Sequence, residues 1–596
     1  MKHLLQYKPV TILVILAILS IALLACTAPA APQMTPAANP APVSAAIDAN
    51  FGLKAISSKN GIQLVPIEIP VSDGKKLAAD IYIPEKGGPF PAILIQTPYN
   101  KDLFRPVFPY ELAGQKIPEG AVTVLGQAAG GSGSFIHSTD FVIVVTDWRG
   151  RFGSKAAATG PALGGGADEL RRQDGYDTVE WVAKQPWCNG KVGTWGSSAL
   201  GQIQWETAAK RPPHLVCMEP RVSDYAQNYS KYYFGGVIRK EYMDGLAAAG
   251  WGALAAIVRA HPTDDGFYDG KDTADPKEIK VPMLVIGGWW DIHDTPKIYN
   301  SVLSLVDSET AKNMRMLICP ASHSNIAKDV PEGELEFPGA GAFTRDEQKK
   351  FFDYWLRSVD NGFSTAAPIT YYQMGSNEWR TATQWPPAGM KETSYYLNDG
   401  GKLTAAAAPQ GVAPRQFIFN PNRPVPTDGG NTFKPGIAQG PIDQNKIVER
   451  HTDVLIFTSD VLSEDVAIAG DISATLYVSS DAVDTDVAIR VTDVYPDGRS
   501  MLVRDGIQRL SHLEGDKTEK FITPGAVYPV TVKTYSVGQT FVKGHRIRLI
   551  ISASNYPRFD VNNGQEDRSK APIKITNTLY FDAEHPSALV LPVLPK

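Results

Sequence analysis

The first candidate for nucleophilic chemistry in this sequence is a serine that lies between two glycines. Residues 191–201 read KVGTWGSSALG, a short β-branched run that enters a glycine and a serine pair before a helical pattern. A tight strand-to-helix turn of this kind exposes a serine hydroxyl near the positive end of a helix, as in a nucleophile elbow. The spacing G-x-S-x-x-G favours Ser198 over Ser197, which would need a glycine where Trp195 stands. A purely structural Gly-Ser-Ser turn is the alternative.

An acid and a histidine follow this serine in the order that a catalytic triad requires. Both should lie on loops after later strands, because those loops converge on the elbow. Asp291 ends the run VIGGWWD, and His323 ends the run ICPASH. Asp294 is the alternative acid, and we favour Asp291 because it lies nearer the strand end. The predicted chemistry is attack by serine, general base catalysis by histidine and a covalent acyl-enzyme, which requires no cofactor and no metal.

The developing oxyanion needs hydrogen-bond donors. The backbone N–H of Ala199, directly after the serine, is one donor by geometry. Tyr99, in the segment QTPYNK after an early apolar run, is a candidate for the second donor, and a packed loop tyrosine is the alternative. Five aromatic residues are candidates to line an apolar acyl or aryl pocket, with simple packing as the alternative: Trp148, Trp289, Trp290, Tyr232 and Tyr233.

The elements that would position these residues indicate an α/β fold. Between about 60 and 325, short β-branched runs alternate with helical patterns. The runs are apolar on both faces, as buried parallel strands are, and ligands gather beyond the carboxyl ends of such strands. The predicted strands are 92–96, 142–146, 192–195, 214–218, 283–287 and 316–319.

Two changes of pattern divide the chain into domains. Residues 222–275 interrupt the α/β pattern with Tyr-, Trp- and Ala-rich helical stretches, which predicts an inserted helical cap. After about 375, strict alternation of apolar and polar residues, as in 487–492, predicts half-buried antiparallel strands of a jelly-roll β-sandwich. The predicted domains are an α/β core at 48–221 and 276–375, the cap at 222–275 and a β-domain at 376–596.

The N-terminal segment has the pattern of a bacterial lipoprotein signal. Two lysines precede an apolar run at 10–25, which ends in Leu-Leu-Ala-Cys26 and resembles a lipobox. We expect a signal peptide at 1–26, a lipid on Cys26 and a Pro/Ala-rich tether at 27–47. The protein would then be secreted and lipid-anchored to a bacterial envelope membrane, facing outside the cytoplasm. A short signal anchor with an incidental cysteine is the alternative.

The amino-acid composition excludes several classes of protein and of binding partner. A chain of 596 residues, 43% hydrophobic and 20% charged, is expected to form several domains and not a disordered scaffold. A formal charge of −5 without a long basic run argues against a nucleic-acid partner. Four cysteines are too few for a disulfide scaffold or a four-cysteine zinc site, and Cys188, Cys217 and Cys319 form either one bridge or three free thiols. No pattern indicates an oligomeric state.

An ordered set of motifs resembles the cocaine esterase and X-prolyl dipeptidyl peptidase family of serine hydrolases. The motifs are TPYNK at 97–101, DWRG at 147–150, DGYDTVEW at 174–181, G-x-S-x-x-G at 196–201, GWWD at 288–291, SHSN at 322–325, FFDYWL at 351–356 and SASNYPRF at 552–559. The resemblance covers roughly residues 60–590. It implies an α/β-hydrolase core with a helical cap and a C-terminal jelly roll, with Ser198, Asp291 and His323 as triad and Tyr99 as oxyanion donor.

The resemblance leaves the substrate class open, since the family includes aryl esterases, α-amino acid ester hydrolases, acylases of β-lactam side chains and X-prolyl dipeptidases. The amino acid ester hydrolases carry three carboxylates for the substrate amine, and this chain keeps Asp294 but has His293 and Tyr232–Phe234 at the other places. A buried amine would be poorly compensated. We therefore expect a neutral, partly aromatic small ester or amide as substrate. The alternatives are an X-Pro dipeptidyl peptidase acting on short peptides, then an α-amino acid ester hydrolase or β-lactam acylase. A non-catalytic carbohydrate-binding surface protein comes last, since it would not need the ordered triad.

Overall fold

The structure is a computed structural model that describes residues 55–59, 61–105, 110–112, 115–117, 138–159, 169–269, 274–433 and 436–596. The predicted signal peptide, Cys26 and the tether lie outside the described residues. Within the described part of the chain, no helix is both long and apolar enough to cross a membrane.

A mixed sheet of eleven strands forms the centre of the N-terminal domain. The strands of this region, including two short hairpins outside the sheet, are β1 Ser57–Lys59, β2 Ile62–Pro70, β3 Lys76–Pro84, β4 Phe90–Thr97, β5 Tyr110–Leu112, β6 Gln115–Ile117, β7 Val142–Asp147, β8 Cys188–Ser197, β9 Leu215–Arg221, β10 Tyr233–Phe234, β11 Val237–Ile238, β12 Met283–Trp290, β13 Met314–Ser322, β14 Ile369–Gln373 and β15 Glu378–Ala382. The strand order is β1-β2-β3-β7-β4-β8-β9-β12-β13-β14-β15. The strands from β7 to β14 in this order run parallel. Each of the six predicted strands overlaps one of these parallel strands.

Helices accompany the strands of this domain. They are α1 Glu169–Ala183, α2 Ala199–Ala209, α3 Tyr229–Tyr232, α4 Lys240–Leu246, α5 Gly252–Arg259, α6 Thr295–Leu305, α7 Ser308–Lys312 and α8 Ala340–Arg357. Side chains of one strand alternate between two core clusters, because successive residues of a strand point to opposite faces. Ile93 and Ile95 pack into one cluster, and Leu94 packs into the other. This double burial is why the predicted strands are apolar on both faces.

The segment between β9 and β12 contains the short helices α3, α4 and α5 and the hairpin β10–β11, with a π-helical turn at Ala247–Trp251 joining α4 to α5. Its core is aromatic and includes Tyr229, Tyr232, Tyr233 and Tyr268. This is the helical cap that the pattern break at 222–275 predicted.

The C-terminal part of the chain is all-β, as predicted. Its strands are β16 Lys391–Asn398, β17 Lys402–Thr404, β18 Arg415–Phe419, β19 Leu455–Ser459, β20 Val466–Ser480, β21 Asp486–Val494, β22 Ser500–Arg509, β23 Tyr528–Phe541, β24 Arg546–Ser552, β25 Ile575–Tyr580 and β26 Ala588–Val593. The order is β18-β25-β20-β26-β16-β17-β19-β24-β21-β22, with β23 pairing β20. The hairpin β14–β15 keeps the first sheet running to Ala382, past the predicted boundary at 375.

Two local expectations are refined by the structure. The alternation in β21 does not mark a solvent face, because Arg490 and Thr492 are buried there along with the apolar residues. Arg490 donates to Ser552 Oγ at 3.1 Å and to the Pro426 carbonyl at 2.9 Å, so polar partners cover that face. The three cysteines of the described chain, Cys188, Cys217 and Cys319, are all buried free thiols.

Candidate active site

Ser198 lies at the turn between β8 and α2. Its backbone has φ 60° and ψ −124°, which few residues with a side chain adopt. The Ser198 N–H donates to the Arg221 carbonyl at 3.0 Å, which ties the turn to the end of the neighbouring strand β9. A conformation of this kind costs about 1–3 kcal/mol and persists where surrounding structure enforces it, commonly at functional sites. Ser198 therefore has the backbone of a nucleophile elbow.

The two glycines of the motif make this turn sterically accessible. Gly196 has φ 146°, and a Cβ there would lie 2.5 Å from Leu200 Cβ. A Cβ at Gly201 would lie 2.5 Å from Ser223 Oγ and 2.8 Å from the Arg221 carbonyl oxygen. The second glycine is thus needed where α2 crosses the end of β9, which explains its place three residues after Ser198.

Tyr99 follows β4, the strand beside β8, and its phenol reaches the serine. The Tyr99 hydroxyl lies close enough to the Ser198 side chain and the Ala199 backbone N–H for both groups to lower its pKa. Burial has the larger effect and raises the pKa of Tyr99 above its ordinary value. The phenol therefore keeps its proton at neutral pH and is able to donate it in a hydrogen bond.

Buried polar contacts fix the loop that carries Tyr99. The Tyr99 N–H donates to Thr97 Oγ1 at 2.9 Å, and the Lys101 N–H donates to Asp147 Oδ1 at 2.7 Å. Lys101 Nζ in turn pairs with Asp80 Oδ1 at 2.9 Å. Burial raises the pKa of Asp147 to about 6, although the N–H groups of Lys101 and Gly153 favour its charged form.

Asp291 and His323 meet at the ends of two paired parallel strands. Trp290 and Ser322, the last residues of β12 and β13, are register partners. Asp291 and His323 directly follow them. His323 Nδ1 lies 2.6 Å from Asp291 Oδ1. Asp291 is thus the carboxylate that contacts His323, whereas the Oδ1 atom of Asp294 is buried and has no hydrogen-bond partner among the described residues.

A second histidine, His293, contacts the same carboxylate. His293 Nδ1 lies 3.2 Å from Asp291 Oδ2, so the two oxygens of Asp291 each face one imidazole. Burial alone would raise the pKa of Asp291, but His323 and His293 together lower it below its ordinary value. Asp291 is therefore ionised throughout the neutral range. In the sequence, His293 stands out only as the replacement for an acid, and no pattern there predicts this contact.

The cap and the β-domain each bring an aromatic residue to this site. Phe433 of the β-domain packs edge-on against His323, with ring centroids 5.1 Å apart, and is 37% exposed. Tyr242 of α4 lies close enough to Tyr99 and Asp291 for both to affect its pKa, which burial raises to about 12. Neither residue belongs to a motif, so the sequence offered no signal for them.

Comparison with known proteins supports a single family. Residues 73–263 match the family described as X-Pro dipeptidyl-peptidase (S15 family), and residues 361–590 match its C-terminal non-catalytic domain. Cocaine esterase from Rhodococcus sp. (strain MB1 Bresler) is 27% identical, over 89% of this chain and 98% of that protein. The chain belongs to the cocaine esterase and X-prolyl dipeptidyl peptidase family. It is therefore a serine hydrolase.

Solved structures show the same fold. An α-amino acid ester hydrolase is similar with a TM-score of 0.72 and 24% identity, over 91% of this chain and 98% of that chain. An aminopeptidase from a marine sediment archaeon, Thaumarchaeota archaeon, gives a TM-score of 0.75 at 24% identity, with the same coverage of both chains. These similarities confirm the predicted fold class, an α/β-hydrolase core with a cap and a C-terminal β-domain.

Of the five predicted pocket aromatics, Trp148 lies at the site. It packs with Ala199, Ile203 and Tyr99 in one small apolar cluster beside the serine. Tyr232 lies one layer further out, with its ring 6.1 Å from that of Tyr242.

The structure corrects the prediction for the remaining three. Trp289 and Trp290 are 1% exposed and belong to the main core, because every position of β12 is buried. The Trp289 indole donates to the Tyr372 carbonyl at 2.7 Å, and Trp290 packs on Phe337. Tyr233 stacks on Tyr229 inside the cap, with centroids 4.5 Å apart. These three side chains pack in the interior and do not line a pocket at the serine.

Asp291, His293 and His323 also have the donor types of a metal site, and their ligand atoms lie within 4.8 Å of one another. Each imidazole directs Nδ1 at an oxygen of Asp291, so these atoms hydrogen-bond to one another. Hydrogen bonds among the three side chains therefore account for the cluster.

Proposed function

We propose that this serine hydrolase cleaves an acyl ester or amide through Ser198, His323 and Asp291. Two sets of contacts carry the proposal, one around Tyr99 and one between His323 and Asp291. The Tyr99 phenol lies beside the Ser198 side chain and the Ala199 N–H, and Asp291 Oδ1 lies 2.6 Å from His323 Nδ1. His323 therefore has the carboxylate that would orient it, and Ser198 has a buried phenol beside it.

The proposed reaction has two halves. His323 Nε2 takes the proton of Ser198 Oγ as that oxygen attacks the substrate carbonyl carbon, and a tetrahedral intermediate forms. Its collapse breaks the bond to the leaving group, which receives the proton from His323. Water then attacks the acyl-enzyme, with His323 taking its proton and returning it to Ser198 as the acid product leaves. Asp291 stays ionised and stabilises the imidazolium in both halves.

Tyr99 and Ala199 are the proposed oxyanion donors. The Ala199 N–H lies near enough to the Tyr99 hydroxyl to lower its pKa, so the two donors lie side by side next to Ser198. A substrate carbonyl oxygen placed there would accept from the amide and the phenol together. Because the phenol is buried and protonated, it stabilises negative charge where that charge develops.

A neutral, partly aromatic substrate is the class that the surroundings of Ser198 favour. Two aromatic rings lie near the serine and the histidine, with Trp148 beside Ala199 and Phe433 beside His323. The relative from Rhodococcus is named for an ester substrate, cocaine. We therefore propose that an apolar acyl or aryl group of an ester packs against these rings.

Substrates with a free amine are the second candidate, which one further carboxylate supports. Asp224, after β9, is half-buried and lies near enough to Tyr242 and His293 to affect their pKa. An X-Pro dipeptidyl peptidase or an α-amino acid ester hydrolase would use such a charge to bind an N-terminal ammonium. The family description as X-Pro dipeptidyl-peptidase is consistent with this alternative.

Parallel assays separate the two candidates. We expect purified enzyme to turn over p-nitrophenyl acyl esters faster than a dipeptidyl-Pro anilide at equal enzyme concentration. An Asp224→Asn variant should then leave ester turnover unchanged. Dominant anilide cleavage that falls in Asp224→Asn would contradict the ester proposal and support the peptidase.

We also propose that the enzyme is secreted and anchored by a lipid on Cys26, which the lipobox-like sequence supports. Bacteria that express the chain should incorporate labelled palmitate into it, and a Cys26→Ser variant should not be labelled. An unlabelled but well-expressed wild-type protein would contradict the anchor.

A further inference from the structure

The loop that carries Asp291 is held by side chains of the β-domain. We call residues 291–294 the acid loop. Asn431 Nδ2 donates to the Asp291 carbonyl and, at 3.2 Å, to the Trp289 carbonyl. Arg504 also donates to the Trp289 carbonyl, and to Asn431 Oδ1 at 2.9 Å. The Tyr535 hydroxyl approaches the Ile292 carbonyl at 3.4 Å.

These backbone carbonyls lie where the sheet no longer fixes the chain. The register of β12 against β13 shifts between Gly288 and Trp290, and β12 ends at Trp290. The Asp291 N–H still donates to Gly288, but the carbonyls of Trp289 and Asp291 receive their side-chain donors from residues more than a hundred positions away. The orientation of the acid loop therefore depends on how the β-domain is docked.

Asn431 and Arg504 are suited to fix this loop. Both are 2% exposed, so their hydrogen bonds are protected from water. Arg504 donates to the Ser536 carbonyl as well, which anchors the guanidinium to β23. Phe433, two residues after Asn431, packs on His323, so one segment of the β-domain touches both the acid loop and the histidine.

We propose that Asn431 and Arg504 are positioning residues, which hold the carboxylate of Asp291 in the orientation that His323 needs. This inference rests on the proposed triad. It gives the domain that matches a non-catalytic family an indirect part in catalysis, since without these contacts the acid loop would lose its fixed geometry. A displacement of about 1 Å in such a group lowers turnover by roughly 10²-fold.

The test compares Arg504→Lys and Asn431→Ser with Arg490→Lys. Arg490 is an equally buried arginine of the β-domain that donates to a backbone carbonyl, that of Pro426, and does not contact the acid loop. We expect Arg504→Lys and Asn431→Ser to lose about 10- to 10²-fold in kcat with little change in KM. Their melting temperatures should be equal to that of Arg490→Lys or higher. Arg490→Lys should keep the wild-type kcat. Ser198→Ala is measured in parallel.

The outcomes separate this inference from the proposed function. If Ser198→Ala is inactive while folded Arg504→Lys and Asn431→Ser keep the wild-type kcat, the triad stands and the positioning role is wrong. If both variants fail to fold, the two residues serve stability and the positioning role is wrong. The same conclusion holds if their activity falls only as much as their stability does and Arg490→Lys shows the same loss of stability. If Ser198→Ala is active, the proposed function itself fails.

Discussion

His323 Nδ1 and Asp291 Oδ1 lie 2.6 Å apart because the parallel strands that precede them end in register. The backbone thus brings the two side chains together before any local packing acts. The second oxygen of Asp291 faces His293. Because both histidines lower its pKa, the Asp291 carboxylate remains ionised although it is buried. A fixed and permanently charged acid is what an imidazole needs to accept and return a proton.

Asp291→Asn should lower kcat by about 10⁴, because the amide favours the wrong tautomer of His323. Asp294→Asn is the matched control in the same loop. Burial raises the pKa of Asp294 to about 7, so its protonated form is already populated at neutral pH. The asparagine side chain resembles that neutral form, and kcat of Asp294→Asn should therefore change little. Steady-state assays of both variants check the prediction, and a larger loss in Asp294→Asn would reassign the acid.

Tyr99→Phe should lower kcat by roughly 10² to 10³, since it removes one oxyanion donor and leaves the ring in place. Tyr233→Phe is the control, because that hydroxyl donates to the Val258 carbonyl inside the cap. It should leave kcat unchanged. If Tyr99→Phe also turned over at the wild-type rate, Tyr99 would be a packing residue only.

Gly201→Ala should destabilise the fold by about 1–3 kcal/mol, because the new Cβ would lie 2.5 Å from Ser223 Oγ. Gly252→Ala, at the start of α5, is the control, since the nearest atom to its Cβ would be 4.0 Å away. That variant should be neutral or slightly stabilised by helix propensity. Denaturant unfolding measures both, and equal stability of the two variants would contradict the close packing of α2 on β9.

Asp147→Asn should remove a pH dependence of folding. Burial raises the pKa of Asp147 from 3.8 to about 6, so the folded protein binds this proton more tightly than the unfolded chain does. The stabilisation is complete below pH 4 and is lost as pH rises through 6, by about 3 kcal/mol. The stability of wild type relative to Asp147→Asn should therefore fall between pH 4 and pH 7. Parallel stability curves would refute the shift.

Much of the fold was predictable because the signals are local. A buried parallel strand needs apolar residues on both faces, and a polar residue just after it marks the edge where ligands bind. This reasoning singled out Ser198, Asp291 and His323, which directly follow β8, β12 and β13 in the structure. The G-x-S-x-x-G spacing likewise follows from the crossing of α2 over β9.

What the sequence could not indicate depends on how domains dock. Trp289 and Trp290 end strand β12, a position typical of pocket residues, but both are buried in a core cluster that includes residues of the β-domain. Asn431 lies 142 positions from its partner Trp289, and no periodicity links such distant residues. Phe433 and Tyr242 reach the site from other domains for the same reason.

The central claim is that Ser198 is the nucleophile, and covalent labelling tests it most directly. Wild type, Ser197→Ala and Ser198→Ala are each treated with a fluorophosphonate, and the modified peptide is mapped by mass spectrometry. We predict that wild type and Ser197→Ala are labelled on Ser198 and that Ser198→Ala is not labelled and loses about 10⁶ in kcat. Labelling of Ser198→Ala at the wild-type rate, or a label on Ser197 in the wild type, would contradict the proposed mechanism.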